Sequence, residues 1–196
     1  NDSERLSGLL RGIGFAPTEV KEQADLVLIN TCSVRQSAED RVFSLVGMFK
    51  EIKRERPEMI LAVTGCMPGR DRDGAIRKKL PIIDLYFPTA EMGQLPRWIA
   101  ELRPEFVNSP DILEDYTKIT PDRHTTRQGY VTIQTGCNKF CTYCVVPFAR
   151  GLEKNRPLAD LLAETRDLVA HGYVEVTLLG QTVNSYRAPD PETFSK

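Results

Sequence analysis

Apolar positions along the chain alternate between a helical and a strand period. Leu6, Leu9, Leu10 and Ile13 fall at helical spacing, with Ser3 placed to cap the helix and Gly14 to close it. Ala24–Asn30 is a short apolar run that predicts a buried parallel strand. Ala38, Val42, Leu45, Val46, Phe49 and Ile52 share one face of a long helix, which Pro57 stops. The run Met59–Thr64 predicts the next strand, the region Ala75–Leu80 a shorter helix, and Ile82–Phe87 another strand. A further helix carries Met92, Leu95, Trp98, Ile99 and Leu102, and its spacing assigns Trp98 to the core.

From Pro104 to about Thr126 the chain is polar, holds Pro104, Pro110 and Pro121, and shows little periodicity, the signature of an interdomain linker. Gly129–Thr135 then predicts a strand that runs into a cysteine-rich loop. Leu158–Ala170 predicts a helix burying Leu161, Leu162, Leu168 and Val169, with Gly172 at its end, and Val174–Leu179 a further strand. Strands and helices that alternate at these lengths imply an α/β fold built on parallel sheet.

Bulk composition narrows the function classes. A chain of 196 residues has room for one or two domains. Its 41% hydrophobic and 27% charged residues are ordinary for a globular protein, and no apolar run has the length of a membrane span. A net charge of −1 does not grip nucleic acid by charge alone, although it leaves room for an RNA held locally. Five cysteines, an odd number without a secretion signal, point to metal binding or catalysis, with a reducing cytoplasm as the default compartment.

The chemistry concentrates in Gly136-Cys-Asn-Lys-Phe-Cys-Thr-Tyr-Cys144. Cys137, Cys141 and Cys144 form a compact set of soft thiolates, which select iron–sulfur clusters, zinc or copper. Three ligands on a four-iron cube leave one iron open to chelate an amino acid moiety. A thioredoxin-like dithiol at Cys141 and Cys144 is one alternative, but it has no use for Cys137. A zinc knuckle is the other, yet no second CxxC follows, and His124 and His171 are isolated. Cys32 and Cys66 form a second set. Each lies just beyond the C-terminal end of a predicted strand, where ligand sites collect in a parallel sheet. They are predicted to meet in space, with buried core thiols as the alternative.

The CxxxCxxC order with Tyr143 before the last cysteine resembles the radical S-adenosylmethionine (AdoMet) signature. That resemblance implies a 4Fe–4S cluster on Cys137, Cys141 and Cys144, with Tyr143 near the adenine of AdoMet, at the C-terminal mouth of a (β/α) barrel. Asn1-Asp-Ser-Glu4, Ile29-Asn-Thr-Cys32 and Thr64-Gly-Cys-Met67 extend the likeness to the radical AdoMet methylthiotransferases over essentially the whole chain. Cys144–Gly151, Arg156-Pro157 and Leu178–Tyr186 are most similar to the MiaB-type branch, which adds a methylthio group to carbon 2 of N6-prenylated adenosine at tRNA position 37. Thr182 departs slightly from that branch's common pattern.

The resemblance implies a Rossmann-like N-terminal domain over 1–103, a linker over 104–126 and the first part of a radical AdoMet barrel over 127–196. It implies an auxiliary 4Fe–4S cluster on Cys32 and Cys66, its third ligand expected before Asn1. Gly180, Gln181 and Asn184 fall where the superfamily contacts AdoMet. Arg150, with Lys139 and Lys154 near the same loop, is placed to meet a phosphate or the AdoMet carboxylate. The implied partners are a tRNA anticodon loop, whose target base must leave its stack, and an electron donor such as a flavodoxin or ferredoxin, with no membrane. The chain is expected to be a truncated barrel, inactive alone. Two other acceptors within the family are a ribosomal-protein aspartate and threonylcarbamoyl-adenosine. A non-catalytic zinc scaffold is the reading from another class.

Overall fold

The computed structural model describes residues 1–32, 36–107, 113, 115–123 and 127–189. His124 and the last residues of the 104–126 stretch fall outside them. The helix α1 (Asp2–Gly12) leads to β1 (Leu26–Thr31), α2 (Gln36–Glu55), β2 (Ile60–Gly65), the short α3 (Cys66–Arg70), β3 (Leu85–Pro88) and α4 (Leu95–Leu102). The three strands form one parallel sheet in the order β1-β2-β3. Side chains alternate across it, as the two-residue strand period requires. Ile60, Ala62 and Phe87 join a core with Leu6, Leu9, Leu95 and Ile99 of α1 and α4. Met59, Leu61 and Val63 join the opposite core with Val42, Val46 and Phe49 of α2. The result is a sheet covered by helices on both faces, which explains why β2 is buried at every position.

The second half contains β4 (Gln128–Thr132), β5 (Gln134–Thr135), α5 (Val146–Arg150), β6 (Lys154–Asn155), α6 (Leu158–Ala170) and β7 (Glu175–Leu179). Strands β4 and β7 pair in parallel, with α6 crossing between them over Val131, Ile133, Leu161 and Leu168. Strands β5 and β6 pair antiparallel.

Several expectations need correction. The helix near Ala75–Leu80 is a single 3-10 turn at Arg77–Lys79, because Gly74 turns the chain on one side and Pro81 blocks helix continuation on the other. The first helix begins at Asp2 with Asn1 as its N-cap residue, so Ser3 lies inside it and accepts a hydrogen bond from Asn30 Nδ2 at 3.0 Å. The strand predicted over Gly129–Thr135 breaks at Ile133. There the backbone changes partners: Ile133 N donates to Leu179 O, and Arg156 N donates to Ile133 O. In α6 only Leu161 and Leu168 are buried; Leu162 is exposed, and Val169 is 63% exposed. The buried stripe is narrow because, among the described residues, α6 has only the β4–β7 pair beneath it.

The polar stretch after α4 is not a detached tether. Val107, Tyr116 and Ile119 are buried in the α1–α4 core, and Tyr116 OH reaches Thr135 Oγ1 at 2.8 Å. Trp98 is partly buried against that core, its ring 5.0 Å from Phe87.

The two halves meet through charged groups. Arg5 is 1% exposed; one guanidinium nitrogen donates to the carbonyls of Thr117 and Ile119, and another lies 3.6 Å from Glu164 of α6. Glu164 also takes Arg123 and Arg156 at 2.6 Å each. One carboxylate thus balances three guanidiniums, and burial lowers the pKa of Arg5 despite Glu164 beside it. Asn1 adds neutral contacts, donating to Tyr130 O at 2.8 Å and accepting from Thr132 Oγ1 at 3.0 Å.

Candidate metal centre

The loop Cys137–Cys144 leaves the end of β5 and enters α5. Gly136 takes a φ of +74°, and a Cβ there would lie 2.1 Å from Leu152 O, so only glycine turns the strand into the loop. The Cys144 amide donates to Cys141 O at 2.9 Å, which folds the last two cysteines into a turn. Phe140, at φ 47°, is the non-glycine residue that bends the loop before that turn. Cys137 is buried, Cys144 half-buried and Cys141 exposed. The Cys137 thiol lies 3.3 Å from Thr182 Oγ1, just past the end of β7. The departing Thr182 therefore touches a candidate ligand, a contact that spacing alone did not reveal.

Cys32 and Cys66 each follow directly on the last residue of a strand. Thr31 and Gly65 are register partners, so the two cysteines continue neighbouring strands at one sheet edge. Gly65 holds φ at +107°, with Thr31 O only 2.1 Å from where a Cβ would sit. Cys66 then opens α3. Glu39, buried in the first turn of α2, grips Arg70 at the end of α3 through both carboxylate oxygens, with Arg70 Nε 2.7 Å from Oε1. Sequence reading missed this pair. The available signal was a carboxylate on the apolar stripe of α2, three residues before Val42 and seven before Val46.

None of the five cysteines forms a disulfide. Among the described residues, no group of three or more Cys, His, Asp or Glu side chains is drawn to metal-ligating distance. The donor set nonetheless fits an iron–sulfur cluster on chemical grounds: three soft thiols lie on one short loop, which opens at Gly136, a glycine without room for a side chain.

The remaining candidates scatter around this edge. Tyr143 is 92% exposed beside the loop. Gly180 and Gln181 line a cleft of 350 Å³ together with Asp2, Ser3, Asn30 and Arg150. Asn184 is exposed on the 3-10 turn Val183–Ser185 and does not line that cleft. Arg150 is turned inward, its Nη2 donating to Asp2 Oδ2 at 2.6 Å. Burial alone would lower its pKa, but the facing Asp2 carboxylate and Cys66 thiol raise it above the ordinary arginine value, so it is a permanent cation here. Lys139 and Lys154 are exposed. A larger cavity of 810 Å³ beside α1 and β1 contains none of the cysteines.

Residues 131–194 match the radical SAM superfamily, and residues 1–88 match a family described as uncharacterized protein family UPF0004. The chain is also similar to curated relatives named tRNA-2-methylthio-N(6)-dimethylallyladenosine synthase. That of Desulforamulus reducens is 43% identical over 194 residues, covering 94% of this chain and 42% of the relative. Along most of its length the chain is thus similar to proteins of that name, with the radical SAM match in its second half. Relatives from Carboxydothermus hydrogenoformans and Shouchella clausii carry the same name, at 40% identity over 95% of this chain and 42% over 99%. These alignments cover 43% and 38% of those relatives, so the chain spans less than half the length of the curated proteins it matches. No described helix is long and apolar enough to cross a membrane.

Proposed function

We propose that the protein is a tRNA methylthiotransferase that inserts a methylthio group at carbon 2 of N6-prenylated adenosine at position 37. The observation that carries this reading is the convergence of two cysteine sets on neighbouring elements: Cys66 opens α3, which packs against α5, the helix that the Cys137–Cys144 loop enters. One cysteine set would suffice for AdoMet cleavage; a second supports sulfur insertion. The names of the relatives favour a prenylated adenosine over a ribosomal-protein aspartate or threonylcarbamoyl-adenosine. On this reading residues 1–103 form a Rossmann-like domain, 104–126 connect it, and 127–196 begin a radical AdoMet barrel. The enzyme works in the cytoplasm with a flavodoxin- or ferredoxin-like donor.

Cys137, Cys141 and Cys144 would hold the cluster that binds AdoMet, and Cys32 and Cys66 would contribute to the auxiliary one. A bound cluster with AdoMet supplies the one-electron chemistry that activates an aromatic C–H bond no side-chain base can deprotonate. The chain's own residues supply position. Thr182 fixes the Cys137 thiol, and Gln134 steadies the turn beyond β7 by accepting from Thr182 N at 3.3 Å and donating to Ser185 Oγ at 3.0 Å. Gly180 and Gln181 offer backbone and amide groups to the cleft, and the exposed Tyr143 ring offers a stacking surface for an adenine.

Anaerobic purification of the full-length protein tests the reading. Iron, acid-labile sulfide and reductant-dependent release of 5′-deoxyadenosine from AdoMet are the expected results. A colourless protein carrying zinc and leaving AdoMet intact would overturn it in favour of a metal-binding scaffold.

A further inference from the structure

The cation of Arg150 ends α5, the helix entered directly from Cys144, and it does not face open solvent. Its Nη2 donates to Asp2 Oδ2 at 2.6 Å, and its guanidinium meets the Cys66 side chain. Beside it the backbones of α3 and α5 approach too closely for a side chain at Gly69, where a Cβ would lie 2.0 Å from Ala149 O. Arg150 therefore touches both halves, reaching from the segment of one cysteine set to a cysteine of the other and to the first turn of α1.

We propose that Arg150 is a positioning residue that locks α5 onto α3, fixing the Cys137–Cys144 loop at a set distance from Cys66, with Asp2 holding the guanidinium in place. The inference rests on the reading of Cys66 as an auxiliary-cluster ligand. A fork of five donors suits this task, because it engages a carboxylate and a sulfur at once. The pair is partly buried, with side-chain exposures of 19% for Arg150 and 17% for Asp2, so water competes weakly for it. The two sites of a sulfur-insertion reaction must face one substrate across a fixed gap, and a misplacement of about 1 Å in such a geometry costs on the order of a hundredfold in rate.

Hydrogen exchange read by mass spectrometry, on the full-length protein without clusters, tests the lock directly. Arg150→Met and, as a milder change, Asp2→Asn are expected to speed exchange of the Cys66–Arg70 and Val146–Arg150 segments together by roughly tenfold. Exchange of Ile60–Gly65 should stay unchanged, and Arg150→Lys should restore part of the protection. Unchanged exchange in both variants, or faster exchange of α5 alone, would overturn the proposal. Electron paramagnetic resonance of the reconstituted protein gives the second readout. The magnetic coupling between the two reduced clusters should broaden in Arg150→Met and recover in Arg150→Lys; unaltered coupling would also overturn it. If exchange responds as expected but the reconstituted wild type holds only the Cys137–Cys144 cluster, the lock stands and the auxiliary-cluster reading falls.

Discussion

Thr31 and Gly65 stand opposite one another in the register of β1 and β2, and each is followed immediately by a cysteine. Two thiols separated by a helix and a strand in sequence are thereby placed at one sheet edge. Replacing either Cys32 or Cys66 by alanine in the full-length protein should remove one cluster and lower bound iron by roughly half, while AdoMet cleavage continues. Iron analysis checks this. Unchanged iron in both variants would return the two residues to the role of core thiols.

The glycines before the cysteines give a second expectation. Gly65→Ala and Gly136→Ala each force a side chain into a carbonyl oxygen at a positive φ, and each should cost at least about 1–3 kcal/mol. Gly47 offers the control, since it lies in α2 with open space around it. Gly47→Ala should stabilise the protein by about 0.5–1 kcal/mol. Denaturant unfolding measures all three, and equal effects would contradict the geometry.

Glu164 is the hinge of the contact between the halves. Glu164→Gln leaves Arg5, Arg123 and Arg156 without their shared carboxylate, at side-chain exposures of 1%, 10% and 10%. Loss of an uncompensated buried partner costs about 3–5 kcal/mol. The exposed pair Arg97–Glu101 provides the comparison: Arg97→Ala should change stability by less than about 1 kcal/mol. Thermal unfolding distinguishes the two, and a silent Glu164→Gln would show that the halves do not depend on this cluster.

Glu39 and Arg70 tie the first turn of α2, which follows Cys32 in the chain, to the end of α3, which Cys66 opens. Glu39→Gln should destabilise the protein by about 1–3 kcal/mol and slow cluster loading. Unfolding curves paired with iron uptake follow both effects. Normal loading in the variant would separate this ion pair from the metal centre.

Much of this arrangement was legible in the sequence, for identifiable reasons. The apolar runs around β1, β2 and β3 and the helical stripe of α2 carry a strong period, and the CxxxCxxC spacing carries its own chemistry. Other features depend on contacts distant in sequence. Ile133 breaks a strand because its two backbone groups find different partners. Val107, Tyr116 and Ile119 bury themselves from a stretch whose composition signals a linker. Arg150 was legible as a cation near the cysteine loop, but its inward turn depends on Asp2, which is 148 residues away.

Mass spectrometry of tRNA nucleosides tests the central claim most directly. A strain lacking the full-length gene should accumulate N6-prenylated adenosine without its methylthio group. Complementation with the wild-type gene should restore the modified nucleoside, and complementation with Cys137→Ala should not. Normal methylthio levels in the deletion strain, or restoration by Cys137→Ala, would contradict the account.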